Sequence, residues 1–267
     1  MSENNVSTLP TRVALERAQE ALTRPGGALE DLGLDVEAIE AMSAEDVLRW
    51  SLRRFGRRIA LSTAFGPEGM VLIDMLSRID PTARIFTIDT QRLPTETYSL
   101  MDRVRDQYGV TFEVYYPRPD NVDKLTTQYG FAPFYKSVGL RKLCCNVRKV
   151  EPLRRALADL DAWITAIRRD QVSTRAGAGK VEIDDKHGGI VKVNPLADWT
   201  TEQVWAYIRT HDVPYNELHD RGYPSIGCAS CTRAVAPDDD PRSGRWWWEA
   251  DRQGAECGIH TAPNWQV

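Results

Sequence analysis

The chain reads as an α/β protein, a parallel twisted sheet with flanking helices, and three observations predict it. Strand-like runs recur at 59–64, 84–88 and 110–115. Helical runs at 70–79 and 95–107 separate them. Strands alternating with helices at this interval imply βαβ units and a parallel sheet. The turn between the first strand and its helix is Phe65-Gly66-Pro67-Glu68-Gly69. A strand, a Gly-rich turn and a helix aim backbone N–H groups and a helix dipole at an anion.

The first forty or so residues are polar, carry Pro25-Gly26-Gly27 and read as a flexible or loosely docked lead-in, 1–42. Ser43-Ala44-Glu45-Asp46 is a helix start of the S-x-x-[DE] type. Leu48, Leu52 and Phe55 follow at helical spacing, and Gly56 suits the C-cap. Beyond the third strand, 147–160 is helical and 163–167 is a fourth buried strand. The stretch 180–193 alternates around His187-Gly188-Gly189, which predicts a hairpin. A helix spans 200–211, and the loop 215–227 leads into Cys228. The core domain is therefore 43–236. The segment 237–267 is polar and irregular, and is expected to be mobile. Ligands of parallel sheets sit beyond the carboxyl ends of the strands. Ser62, Phe65, Gly66, Asp89 and Thr90 would lie there.

Composition excludes several classes. With 267 residues, the chain is long enough for one large domain or two small ones. Its net charge of −4 gives no global field for nucleic acid. The N-terminus has no basic head and apolar core, and no window has the apolar length of a membrane span. Five cysteines, an odd number, with one C-x-x-C and no secretory segment argue against a disulfide framework. A reducing cytoplasm is the expected compartment.

All five cysteines fall in three places: Cys144-Cys145 in a basic run, Cys228-Ala229-Ser230-Cys231, and Cys257 in Glu256-Cys257-Gly258-Ile259-His260. Four thiolates can hold a [4Fe-4S] cluster or a zinc ion. Adjacent side chains on a helix diverge by roughly 100°. Cys144 and Cys145 therefore meet at one centre only if it is large or the backbone is distorted, which favours a cluster over zinc. For Cys257 the residues leave two readings open, a nucleophile or a stray surface thiol. Trp246-Trp247-Trp248 reads as a packing plug rather than an adenine platform. Arg141 and Arg148 read as surface or packing charges. His187, His211 and His219 carry no functional signal.

Four motifs, however, together resemble the assimilatory adenylylsulfate (APS) reductases, the cluster-bearing branch of the PAPS/APS reductase family. They are Cys144-Cys145-x-x-Arg148-Lys149-Val150-x-Pro152-Leu153, Gly227-Cys228-x-x-Cys231-Thr232, Gly244-Arg245-Trp246-Trp247-Trp248-Glu249 and Glu256-Cys257-Gly258-Ile259-His260. Ser62 with Phe65-Gly66, and Asp89-Thr90, fall where that family's nucleotide loops belong. Gln91 stands where relatives have glycine after Asp-Thr. The S-G-G-x-D-S loop of the related ATP pyrophosphatases is missing, which counts against ATP-dependent sulfur transfer.

The resemblance implies a PP-loop-like (adenine nucleotide alpha hydrolase-like) sheet and the thioredoxin-dependent reduction of adenosine 5′-phosphosulfate to sulfite and AMP in sulfate assimilation. It implies a [4Fe-4S] cluster on Cys144, Cys145, Cys228 and Cys231. It makes Cys257 the nucleophile that carries an S-sulfonate, with His260 assisting. It assigns substrate contacts to Ser62, Phe65, Gly66, Lys149, Arg175, Arg242 and Arg245. The chain ends seven residues after His260, so thioredoxin is expected as a separate partner. The alternatives are PAPS reduction and a PP-loop ATP pyrophosphatase of sulfur transfer. The oligomeric state is left open, a homo-oligomer included.

Overall fold

The computed structural model describes residues 33–249. Six strands form one sheet: β1 Ile59–Thr63, β2 Arg84–Ile88, β3 Phe112–Tyr115, β4 Ala162–Ile164, β5 Val181–Asp184 and β6 Ile190–Val193. Their order is β3-β2-β1-β4-β6-β5. All neighbours are parallel except β5, which returns antiparallel on β6 as the predicted hairpin. The chain builds outward from β1 to β3, then crosses back to add β4 on the other side of β1. The order reverses at β1 and β4, so the crevice for a ligand lies at their carboxyl ends.

Side-chain alternation along these strands builds two cores. Ile59, Leu61, Ile85, Ala162 and Ile164 pack on one face with Met70, Leu72 and Ile73 of helix α3, Pro67–Ile79. Ala60, Phe86 and Trp163 point to the other face, against Leu153, Ala156 and Leu157 of helix α7, Glu151–Leu157. Apolar residues at successive strand positions follow from cover on both faces.

α1, Val36–Glu40, and α2, Ala44–Phe55, precede the sheet. The Ser43 hydroxyl caps α2 by accepting from the Asp46 N–H at 3.2 Å. Gly56 ends α2 at φ 54°. The described part of the predicted lead-in is firmly docked. Ile39 is buried, Arg169 donates to the Glu40 carboxylate at 2.6 Å, and the buried Lys180 ammonium donates to the Glu40 and Met42 carbonyls. α4, Thr95–Tyr108, and α5, Pro119–Tyr129, follow β2 and β3. α6, Val138–Cys145, carries the first cysteine pair, and α8, Thr201–Thr210, starts with a capping box from Thr200 and Gln203.

Two of the described histidines behave as scaffold. His187 Nδ1 shares a 2.8 Å hydrogen bond with Asp184, and its ring packs on Trp163. His219 packs edge-on against Trp205, and burial holds its imidazole below the usual range. No helix among the described residues is long and apolar enough to cross a membrane.

Candidate active site: a four-cysteine cleft at the carboxyl edge of the sheet

Two elements deliver the four described thiols to one place. α6 begins at Ser137, whose hydroxyl accepts from the Leu140 N–H, and ends with Cys144 and Cys145. A π-helical turn, Asn146–Val150, follows at once and runs into α7. π turns widen the helix locally and cluster at functional positions. This is the backbone distortion that two adjacent cysteines need in order to face a common cleft. Proline at 152 removes one N–H donor just past the turn.

The second element is the tight turn Ala229–Cys231. The Cys228 carbonyl accepts from the Cys231 N–H and the Thr232 hydroxyl, both at 2.9 Å. The Gly227 N–H donates to that same hydroxyl at 3.0 Å. The turn is tied to the end of β2: Ala229 N–H donates to the Arg92 carbonyl at 2.7 Å, and the Thr90 hydroxyl lies 3.2 Å from Cys228 Sγ. Cys144, Cys145, Cys228 and Cys231 all line one cleft. None of the four is in a disulfide. Among the described residues, no group of three Cys, His, Asp or Glu side chains is placed to hold a metal ion.

Five cationic side chains wall this cleft: Arg92, Arg141, Arg148, Lys149 and Arg245. Two of them, Lys149 and Arg245, are the cations that the sequence motifs nominate. Arg245 is buried, its Nε donates to the Cys231 carbonyl at 3.1 Å, and its guanidinium lies over Trp246. Of the two readings the sequence left for Arg148, surface or packing charge, the structure has the second: it is buried and donates to the Thr90 carbonyl at 2.8 Å one turn after Cys144. Burial lowers its pKa, and the Arg92 charge adds to this. Arg148 Nε and Arg92 Nε are both buried and without a hydrogen-bond partner. Position could have marked both: Arg148 is four residues past Cys144, and Arg92 stands just beyond a strand end. Burial raises the Cys144 thiol and pushes Cys231 to about 11, so binding a metal there means displacing protons.

The predicted nucleotide turn lies on the same edge of the sheet, because β1 and β2 are parallel neighbours with Thr63 opposite Thr87. Phe65 takes φ 58° and buries its ring edge-on against Phe112, so only its backbone faces outward. Gly66 is the N-cap of α3. A Cβ at Gly69 would stand 2.7 Å from the Thr63 hydroxyl, so α3 can approach β1 this closely only with glycine there. Gln91 has φ 59°, which explains the glycine expected after Asp-Thr; its N–H donates to Asp89 at 2.7 Å. At the end of β4, the buried Arg168 donates to Glu68 at 2.9 Å and Thr201 at 3.0 Å, and also pairs with Asp170.

Arg175 and Arg242 do not line the cysteine cleft. Arg175 sits in a short turn and donates to Gln171 at 2.5 Å; Arg242 is half-buried in the loop before Arg245. Cys257 and His260 lie outside the described residues. Residues 244–249, expected to be mobile, are instead seated on α6 and the turn Pro133–Tyr135 before it: Trp246 is buried, Trp248 Nε1 donates to the Phe134 carbonyl at 3.0 Å, and Glu249 pairs with Arg141. The tryptophan run is thus a packing element, as its sequence suggests.

Residues 58–234 match the phosphoadenosine phosphosulfate reductase domain. The chain belongs to this reductase family. Within the family it is 46% identical over 230 residues to the adenosine 5′-phosphosulfate reductase of Burkholderia cepacia, covering 86% of this chain and 89% of that one. It is 50% identical over 202 residues to the protein of the same name from Allochromatium vinosum, covering 76% and 78%. Among solved structures it resembles the phosphoadenylyl-sulfate reductase of Candida auris in its phosphate complex. The identity is 32% and the TM-score 0.64, covering 76% of this chain and 98% of that one. FMN adenylyltransferase from Candida glabrata, 12% identical with a TM-score of 0.53, shares the fold alone. The family match spans both cysteine pairs, the nucleotide turn and Lys149; Arg242, Arg245 and Cys257 lie beyond its end.

Proposed function

We propose that this chain reduces adenosine 5′-phosphosulfate to sulfite and AMP, drawing electrons from a dithiol of the thioredoxin class. The observation that carries the reading is the cleft itself. Four thiols and five cationic groups share one site at the carboxyl edge of the sheet, next to a turn suited to a nucleotide phosphate.

Each residue has a chemical task in this reading. The Gly66 turn and the first N–H groups of α3 hold a nucleotide phosphate, with Ser62 adding a hydroxyl and Phe65 its backbone. Arg245 and Lys149 offset the charge of the phosphosulfate, and Arg175 and Arg242 reach its outer oxygens. The Cys257 thiolate attacks the sulfate sulfur; an S–S bond forms, the sulfur–oxygen bond breaks, and AMP leaves with the electron pair. His260 assists Cys257. The external thiolate then attacks Cys257 Sγ and expels sulfite, and the dithiol ends as a disulfide. The compartment is then a reducing one, the cytoplasm.

Cys144, Cys145, Cys228 and Cys231 would hold a [4Fe-4S] cluster. Their place on one shared cleft with a cationic wall supports this reading. When bound, the cluster would join α6 to the 228–231 turn and bring a net charge of about −2 beside the substrate. The unpartnered Arg148 and Arg92 Nε groups are donors suited to that charge.

The test omits the reductant. Protein mixed with APS should release one AMP per chain and gain one SO3 on the Cys257 peptide, seen by mass spectrometry. PAPS should react more slowly. No adduct, or faster reaction with PAPS, overturns the proposal. A second expectation concerns Gly227. A Cβ there would stand 2.3 to 2.9 Å from the Arg245 guanidinium, so Gly227→Ala should push Arg245 off its seat. Loss of one charged contact predicts an affinity for APS about 10-fold weaker. Calorimetric titration with APS checks this, and unchanged affinity would remove Arg245 from the substrate site.

A further inference from the structure

We propose that Arg92 is a retention latch for the iron–sulfur core: its Nε donates to a sulfur of the core, while the rest of the residue ties two flanking segments together. The inference rests on the reading that the four thiols hold that core. It adds a contact that lies outside every cysteine motif.

Local sequence fixes where Arg92 stands. β2 ends at Ile88, and the Gln91 N–H donates to the Asp89 carboxylate at 2.7 Å while the Arg92 N–H donates to the Thr90 hydroxyl at 3.3 Å. With Gln91 at φ 59°, these bonds close a tight turn, and Arg92 leaves it lining the cysteine cleft. Its carbonyl accepts from the Ala229 N–H at 2.7 Å, between Cys228 and Cys231. Its Nη2 donates to the Phe131 carbonyl at 2.5 Å, and the guanidinium lies 5.2 Å from the centre of the Phe134 ring. Phe134 is itself buried with Cys144 and Cys231. The guanidinium is thus held at one end and on one face, which leaves Nε buried without a hydrogen-bond partner.

A buried N–H with no acceptor is unfavourable. Charge adds to the cost, because the Arg92 cation acts on Arg148, whose Nε is also buried and unpartnered. Among the described residues that line the cleft, none is Asp or Glu. Like charges held close at low dielectric call for an anion between them. A core on four thiolates brings about −2 and exposes sulfur acceptors, so it answers both needs.

The experiment reads iron retention rather than turnover. Protein prepared anaerobically with its iron is mixed with a ferrous chelator, and release is followed by the colour of the complex. Arg92→Met keeps the apolar stem without a donor, and should release iron about 10-fold faster, as loss of an outer partner does at metal sites. Arg92→Lys restores the charge without the fixed Nε donor and should fall between the two. Resonance Raman spectra of the loaded proteins supply the second readout. An N–H bond to sulfur draws electron density from the iron–sulfur bond, so the Fe–S stretching bands should move to higher frequency in Arg92→Met. Unchanged release overturns this inference alone. Faster release with unmoved bands also overturns it, and makes Arg92 only a brace for the turn at Phe134. A parent protein that binds no iron overturns the proposed cluster and takes this inference with it.

Discussion

Cys257→Ser is expected to stop sulfite release, lowering turnover by about 10⁴-fold or more, as loss of a nucleophile does in covalent catalysis. A serine hydroxyl at this position stays protonated near neutral pH, so it presents no anion to the sulfate sulfur. The other four thiols are poor substitutes. Cys144 and Cys231 are 8% and 7% exposed, and burial raises the pKa of both. All four also line the cleft as the proposed cluster ligands. The variant should therefore keep its iron and its brown visible band while failing to form the adduct. Sulfite production with reduced thioredoxin, measured beside total iron, separates the two properties. Turnover above a hundredth of the parent's would move the nucleophile elsewhere.

Arg168→Met is expected to cost about 3–5 kcal/mol of stability, the usual penalty for stripping one partner from a buried ion pair. The guanidinium is 5% exposed and holds four acceptors: Glu68, Asp170, the Thr201 hydroxyl and the Trp199 carbonyl. Its removal leaves Glu68, 15% exposed, with the Gln171 amide at 3.0 Å. Glu68 is in the first turn of α3, two residues past Gly66, so nucleotide affinity should fall with stability. Arg168→Lys restores the charge but not the fork, and should recover only part of the loss. Urea denaturation followed by circular dichroism reads the effect. A change under about 1 kcal/mol would mean that water already serves these acceptors.

Much of the fold was legible because its signals are local. β2 occupies the predicted 84–88, and the helix beginning at Thr95 ends within one residue of expectation. The hairpin around Gly188 and Gly189 pairs Val181 with Val193. Strand ends differ more: β4 closes at Ile164 rather than 167, because it pairs β1 and β6 over only three residues. The seat of residues 244–249 was missed for a related reason. Their polar, Gly-containing flanks look loose along the chain, and the partners that hold them, Phe134 and Arg141, are more than a hundred positions away.

By itself, the sequence determined the parallel sheet, the Gly66 turn and the identity of the four thiols, since periodicity, turn chemistry and cysteine spacing act over a few residues. Only the tertiary structure decided that those thiols share one cleft and which cations surround them. Thr90 meets Cys228 across 138 positions, Arg141 meets Glu249 across 108, and Arg148 turns inward to the Thr90 carbonyl. Such pairings depend on how helices and loops pack over the sheet. No local preference encodes them, because the energy that selects them comes from burial shared among segments distant in the chain.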